Sequence, residues 1–428
     1  MDKENQIKKL FEEQSIIEEQ VKFGCVLFDL QEVAGKMIPT PGSGWASIEG
    51  KSAFRIKSLL ELSNQVKWLT NLSQEVLWKA NLAKQTKLKH SGYLRTDINQ
   101  ISKELGLIIP VTPVTKVCET LSELFNKIMK LAIEFYGLST FTQKELHLEL
   151  KSALLTNDKN ISTHLDEALS RAYQDLVICD HVLQKEKQIF VSLKRPRYFH
   201  AKTILETPIP IVNGDWKFYA ENEMPDTTEK KIEFLMNLDK PFITKISINN
   251  FENTDNLYVD LSKLLNMGEA LGDGGKTKER NWVCQPELLY LSRFSNLDIQ
   301  AAFVAQGYQE MENNITLPYL GELSDFSLSL GVLSECVWTG IAGRSTNPQT
   351  RGKSLVSPRA CWLKAADRFM TFTSAMMLSS AGFTVTSYGY GAVNIAIDED
   401  KIPHLIEIAP HAGLSIPLNI IDKKTMML

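Results

Sequence analysis

The sequence lacks most of the signatures by which a reaction or a membrane can be read from a chain. Among its 428 residues no apolar run approaches the ~18–20 needed to cross a bilayer. The charged opening, Met1-Asp2-Lys3-Glu4-Asn5-Gln6, is unlike a secretory leader, so an intracellular, cytoplasmic protein with no membrane partner is expected. Six cysteines, at 25, 118, 179, 284, 336 and 361, stand tens of residues apart without a C-x-x-C pair. That spacing argues for free, buried thiols and against a disulfide framework. Seven histidines show no H-E-x-x-H, no H-x-H and no cysteine at ligand spacing, so no metal site is expected. No G-x-S-x-G nucleophile elbow, internal repeat or low-complexity tract is present. No catalytic residue and no cofactor follow from what remains.

What is there is ordinary in amount and uneven in placement. Hydrophobic residues make up 43% and charged residues 23%, the composition of a globular chain long enough for two or three domains. The net charge of −4 predicts no general attraction to nucleic acid. Residues 1–200 carry 27 Lys/Arg and 24 Asp/Glu, however, and residues 201–428 carry 20 and 27. Basic charge is therefore local.

Periodicity sketches an α+β chain with a mainly helical N-terminal half. An amphipathic helix is expected from Lys3 to Val21 on Ile7, Leu10, Phe11 and Ile17, with glutamates on its wet side. Pro39-Thr40-Pro41-Gly42-Ser43-Gly44 reads as a loop, and 52–88 as a helical stretch holding Trp68 and Trp78. Pro110 and Pro113 mark a break. Beyond residue 205 the β-branched runs 209–212, 242–248 and 257–259 read as strands, and 286–307, 325–341 and 360–380 as helices. Two alternating runs, 383–388 and 392–397, flank Gly389-Tyr390-Gly391 and predict a hairpin. The expected division is a helical region over 1–112, a module over 113–200 and a mixed α+β C-terminal domain over 201–428.

The module has the most specific pattern. Leu121, Leu124, Phe125, Ile128, Leu131, Ala132 and Phe135 give its first helix an apolar stripe, which Gly137 ends. Thr142-Gln143-Lys144-Glu145 suggests a capping box for the second. A third opens near Thr163 and buries Leu165, Ala168, Leu169, Ala172, Tyr173 and Leu176, followed by apolar runs at 177–179 and 189–191. Three helices and a hairpin resemble the winged helix-turn-helix fold over residues 116–194. That resemblance implies docking to DNA or to a protein, and an acidic third helix (Asp166, Glu167, Asp175) suits the second as well as the first.

Three basic segments supply the candidate nucleic-acid contacts. The stretch 51–100 has nine Lys/Arg against three acids, with Lys84, Lys87 and Lys89 near Trp78, His90 and Tyr93. Its alternative reading is a solvated helix face. The wing side of the module offers Lys185, Lys187, Lys194, Arg195 and Arg197. The segment 340–368 sets Arg344, Arg351, Lys353, Arg359, Lys364 and Arg368 against Asp367, and its stretch 342–358 reads as a loop. Cations interleaved with rings neutralise phosphate and stack on bases, which suits DNA or RNA. Ala270-Leu-Gly-Asp-Gly-Gly275-Lys276-Thr277 fits a loose phosphate-binding loop, with Lys276 and Thr277 as nucleotide contacts, although no strand precedes it. The sequence thus leaves three expectations open. They are a non-catalytic nucleic-acid-associated protein, a structural subunit of a larger assembly (viral, phage or secretion-type) acting through protein partners or self-assembly, and a nucleotide-binding enzyme using 268–277.

Overall fold

Six consecutive buried residues, Phe23 to Phe28, form the middle of the first strand, and a strand buried on both faces belongs inside a sheet. The structure is a computed structural model and describes residues 22–85, 87–107, 111–138, 141–155, 161–173, 177–178, 188–196, 207–211, 214–251, 281–309, 325–342, 345–346, 354–417 and 420. The chain divides into two units: residues 1–154 with 318–340, and 155–317 with 341–428. The stretch 113–200 contributes to both.

In the first unit β1 (Lys22–Val33) pairs antiparallel with β2 (Lys36–Ile48) and parallel with β4 (Val66–Thr70). Adding β3 (Phe54–Ile56) and β5 (Leu88–Lys89) gives a five-stranded sheet of order β3-β2-β1-β4-β5. The short helix α1 (Gln74–Lys79), capped by the Ser73 hydroxyl, makes the crossover from β4 to β5. After α2 (Ile98–Glu104), the long α3 (Val114–Tyr136) packs on β1 and β2. Its apolar stripe is the expected one, and Gly137 ends it at φ +59°. Asn126 Nδ2 donates to Phe23 O at 2.7 Å, and the Cys118 thiol lies 3.4 Å from Cys25 O, so the contact is part apolar and part backbone-directed. The other face buries Trp68 with Val26, Ile56, Leu77 and Leu88. Gly24 has no room for a side chain, because a Cβ there would lie 2.7 Å from the Trp68 ring and 2.8 Å from Ser47 O. Gly24→Ala is expected to cost about 1–3 kcal/mol of this unit's stability in a denaturant titration, and a neutral result would mean that β4 shifts freely.

The mainly helical N-terminal half is not what forms. The stretch 52–88 is β3, β4, α1 and β5, because Val66, Trp68, Leu69 and Thr70 extend the sheet beside β1, and tertiary pairing outweighs a weak helical pattern. The proline-rich stretch 39–44 lies within β2, where the register jumps from Leu30↔Pro39 to Phe28↔Gly44. The bulge leaves Pro41 outside the ladder, which is how a strand tolerates it. Ser43 donates to Asp29 across the bulge, and Arg55 Nη1 donates to the same carboxylate at 2.8 Å, holding it below the usual carboxylate range. Helix α4 (Leu146–Leu155) begins four residues after Thr142, and Gln143 N donates instead to Glu149 Oε1 at 2.6 Å. The expected N-terminal helix 3–21 lies outside the described residues.

The second unit opens with α5 (Thr163–Ala172), capped by Ser162 and burying Leu165, Ala168, Leu169 and Ala172 as expected. The two strands after it, β6 (Val177–Ile178) and β7 (Ile189–Lys194), do not pair with each other, so the wing of the resemblance is not formed. The hairpin β14 (Thr384–Gly389) and β15 (Ala392–Ile397) lies between them in the order β6-β14-β15-β7. β7 makes a six-residue ladder with β15, whereas a local pairing with β6 would offer two residues; the longer ladder wins although it closes a loop of some two hundred residues, since closure cost grows only with the logarithm of length.

A second sheet joins β8 (Trp216–Ala220), β9 (Phe242–Phe251), β10 (Trp282–Cys284) and β11 (Ser295–Ala305) in the antiparallel order β10-β9-β11-β8. The helices α6 (Thr228–Asn237), α7 (Gln285–Phe294), α8 (Pro358–Ser380) and α9 (Ile402–His411) complete the unit. One core runs through both sheets and these helices, from Phe242 and Val304 to Phe372, Val393 and Leu405. The expected helix 286–307 is two elements, because the alternation after Asn296 suits β11. Of the run 209–212, Pro210 makes a bridge to Tyr308, and residues 212 and 257–259 lie outside the described residues. Within 342–358, expected as loop, β12 (Ser345–Thr346) pairs with β13 (Ser354–Leu355). The helices expected at 325–341 and 360–380 are present as Asp325–Ala342 and α8. Among the described residues no helix is long and apolar enough to cross a membrane.

Candidate nucleic-acid interface at the hairpin turn

The β14–β15 connection is a two-residue turn, Tyr390 at φ +56° and Gly391 at φ +65°. Such a turn matches the twist of the strands it joins, but a tyrosine in the left-handed region is strained and must be held there. The holding group is Asp367 of α8. Both its carboxylate oxygens lie 3.0 Å from Gly391 N, which donates to them, and the side chain is completely buried. Burial pushes its carboxyl up to about 6, opposed by the Gly391 amide and by the cations of Arg195 and Arg368.

Helical spacing puts Lys364, Asp367, Arg368 and Thr371 on one side of α8. Arg368 Nε donates to Glu287 Oε1 of α7 at 2.6 Å, and both side chains are buried. The Lys364 ammonium sits 3.7 Å from the centre of the Tyr173 ring, the geometry of a cation–π contact. Burial, reinforced by the neighbouring Arg368, pulls its amine down to about 6, and Asp367 resists this. Beyond the turn, Lys194 pairs with Ala392 at the end of β7, and Arg195 N donates to Gly391 O at 2.8 Å. The Asp367 carboxylate favours the charged form of Arg195, against the larger effect of burial.

The cluster therefore joins two stretches that are far apart in the chain. Lys194 and Arg195 from one, and Lys364 and Arg368 from the other, surround a turn whose backbone is fixed by a carboxylate. Lys194 is exposed and Arg195 half-buried. Arg359, half-buried, stands on the first turn of α8, about 12 Å along the helix axis from Asp367 at 1.5 Å per residue. The carboxylates are committed inward, Glu287 to Arg368 and Asp367 to the turn. Chemically, the arrangement presents positive charge at its rim over a rigid, uncharged peptide turn.

The other expected contacts are placed differently. Lys84 is exposed in the first unit, and Lys87 donates to Asn64 Oδ1 at 2.8 Å. Lys89 turns inward: its ammonium donates to Phe141 O at 2.5 Å and Gln143 O at 3.0 Å, beside the Tyr93 ring. Burial lowers it to about 8, and its role is to tie β5 to the segment before α4, so it is withdrawn as a phosphate contact. Lys185, Lys187, Arg197, Lys276, Thr277, Arg344, Arg351 and Lys353 lie outside the described residues. The chain's charge pattern named Asp367 as the one acid among the cations of 340–368 but gave it no role, and it did not single out Glu287 or Tyr173. The available signal was a cluster of charges at i, i+3 and i+4 on a helix otherwise rich in Ala, Met and Ser. Among the described residues no three His, Cys, Asp or Glu side chains gather as a metal site.

No family model matches the chain, and no curated protein matches it. Solved structures similar to it include Phi29 DNA polymerase complexed with primer-template DNA, in a post-translocation binary complex, with 11% identity and a TM-score of 0.46. The same polymerase complexed with single-stranded DNA has 10% identity and a TM-score of 0.46, and its ternary complex with primer-template DNA and incoming nucleotide has 10% and 0.43. Each covers 87% of this chain and 80% of the other.

Proposed function

We propose that this chain is a non-catalytic nucleic-acid-associated protein that holds a polyanion at the rim of the β14–β15 turn. One observation carries the reading. The β7–β15 ladder brings the exposed Lys194 and the half-buried Arg195 to the turn that Asp367 of α8 holds, and the carboxylates there are occupied by buried partners. Phosphates are met by exposed or half-exposed cations, and a backbone turn reads no base, so the binding is expected to be independent of sequence. The same commitment of Glu287 and Asp367 supports binding rather than chemistry, since neither carboxylate is available as a base.

A mobility-shift titration of a 20-base-pair duplex between 50 and 200 mM salt tests this. Binding is expected to weaken with the logarithm of salt, and Lys194→Ala or Arg359→Ala to reduce the log–log slope by about 0.9 for each phosphate that is no longer neutralised. No binding at 50 mM salt, or a slope untouched by both substitutions, sinks the reading.

A further inference from the structure

The β14–β15 turn contains a residue that its backbone does not favour. Gly389 pairs with Ala392, so Tyr390 and Gly391 are the two loop residues, and both have positive φ. Asn-Gly, Asp-Gly and Gly-Gly fill such a turn with least strain, because a Cβ is crowded in the left-handed region and short polar side chains recover part of the loss locally. Five described residues other than glycine have positive φ, namely Ala34, Asn81, Arg95, Asp239 and Tyr390, and Tyr390 is the one ring among them. The strained backbone persists because the buried Asp367 carboxylate is met by the amides of both Tyr390 and Gly391. Strain held in this way marks a position where the side chain is needed for contact rather than for the fold. The ring is not there to fill the core: Tyr390 is 41% exposed, whereas Tyr388, two residues earlier, is fully buried within it. Its surroundings are those of an anion-bearing ligand. Lys194, exposed, pairs with Ala392 on the next strand, one spacing of about 4.7–4.9 Å away, and Arg195 N donates to Gly391 O. The hairpin residues on either side of the turn, Ser387, Gly389, Ala392 and Asn394, are uncharged.

We infer that the Tyr390 ring stacks on one unpaired base of the bound nucleic acid, while Lys194 and Arg195 meet the phosphates beside it. Every base has a π-face, so stacking tolerates any sequence, in agreement with a turn that reads no base edge. A base inside a duplex is already stacked on both sides and gains nothing from the ring. One ring takes one base, so the ligand is a single strand or a duplex that carries an unpaired nucleotide. The inference rests on the proposed polyanion binding at this turn, and adds the class of nucleic acid that the turn prefers.

The test titrates the full chain with three fluorescein-labelled probes between 50 and 200 mM salt. They are oligo(dT) of 20 nucleotides, an abasic sugar–phosphate strand of the same length and charge, and the 20-base-pair duplex. Tyr390→Asn removes the ring and supplies a residue that the turn's backbone prefers, so the fold is kept. It is expected to weaken oligo(dT) binding about tenfold at every salt concentration without changing the log–log slope, because no phosphate contact is lost. Binding of the abasic strand and of the duplex is expected to stay within about twofold. Tyr390→Phe, which keeps the ring, is expected to bind oligo(dT) like the unaltered chain. Unchanged oligo(dT) affinity in Tyr390→Asn overturns the inference and leaves phosphate binding at the turn standing. An equal loss for the abasic strand also overturns it, since turn geometry rather than stacking would then be responsible. No binding of any probe by the unaltered chain ends both readings.

Discussion

Arg368→Met is expected to destabilise the second unit by about 3–5 kcal/mol, because it leaves the Glu287 carboxylate charged, buried and without its counter-ion. The side chains of Arg368 and Glu287 are 1% and 2% exposed, so water cannot step in for the missing guanidinium. Burial opposes the charge on Arg368, but Glu287 more than compensates and raises it above its ordinary value. The sign of the effect depends on removing one partner only. The double variant Glu287→Leu/Arg368→Met takes both charges out of an apolar site next to Tyr290 and Phe372, and it is expected to recover most of the loss. Because the chain has two units, one unfolding midpoint is not a sufficient measure. Amide exchange along α8 and α7 reports the second unit by itself, and protection there is expected to fall by about two to four orders of magnitude, at about 1.4 kcal/mol per decade, in the single variant. A single variant that loses less than about 1 kcal/mol would place the pair among exposed ion pairs, contrary to its burial.

The elements that could be read in the sequence are those whose signal is local. α3 has a complete apolar stripe and a glycine stop, α5 a serine cap and a stripe, and β14–β15 two alternating runs around Gly-Tyr-Gly. The five-stranded sheet was hidden because its strands are defined by one another. Phe23–Phe28 is continuous rather than alternating, β3 and β5 have three and two residues, and Pro41 of β2 is accommodated by a bulge between Pro39 and Gly44. The failed wing has the same cause: β6 and β7 look like a hairpin until the hairpin 200 residues later offers β7 a six-residue ladder. Charge misled in a related way. Lys89 and Lys364 count as surface cations in a tally of basic residues, yet β5 and α8 turn both inward, one onto carbonyls and the other onto a ring. Lys194 and Arg195 belong to the surface, and a sequence had no means of setting them beside α8.

Lys364→Met is expected to stabilise the second unit at neutral pH, by on the order of 3 kcal/mol, even though it deletes the contact with the Tyr173 ring. The methionine keeps most of the stem that packs in the site and discards the amine that is costly to bury. The pH dependence gives the sharper result. In the unfolded chain the lysine holds its proton up to about 10.4, whereas in the fold it releases it near 6. Between those values the unfolded state binds more protons, so this group makes stability rise with pH; below about 6 both states are protonated and its contribution is flat. Asp367 acts in the opposite sense lower down. Its carboxyl is raised from 3.8 to about 6, so between those values the native state binds more protons and stability falls as pH rises. The two groups together place a local minimum of stability close to pH 6, where many proteins are near their maximum. Subtracting the Lys364→Met curve from that of the unaltered chain isolates the lysine, and the difference is expected to shrink from pH 6 toward pH 10. A difference independent of pH across that range would show that Lys364 stays charged in the fold, in reach of water or of a carboxylate, and would restore it to the set of cations available to a phosphate.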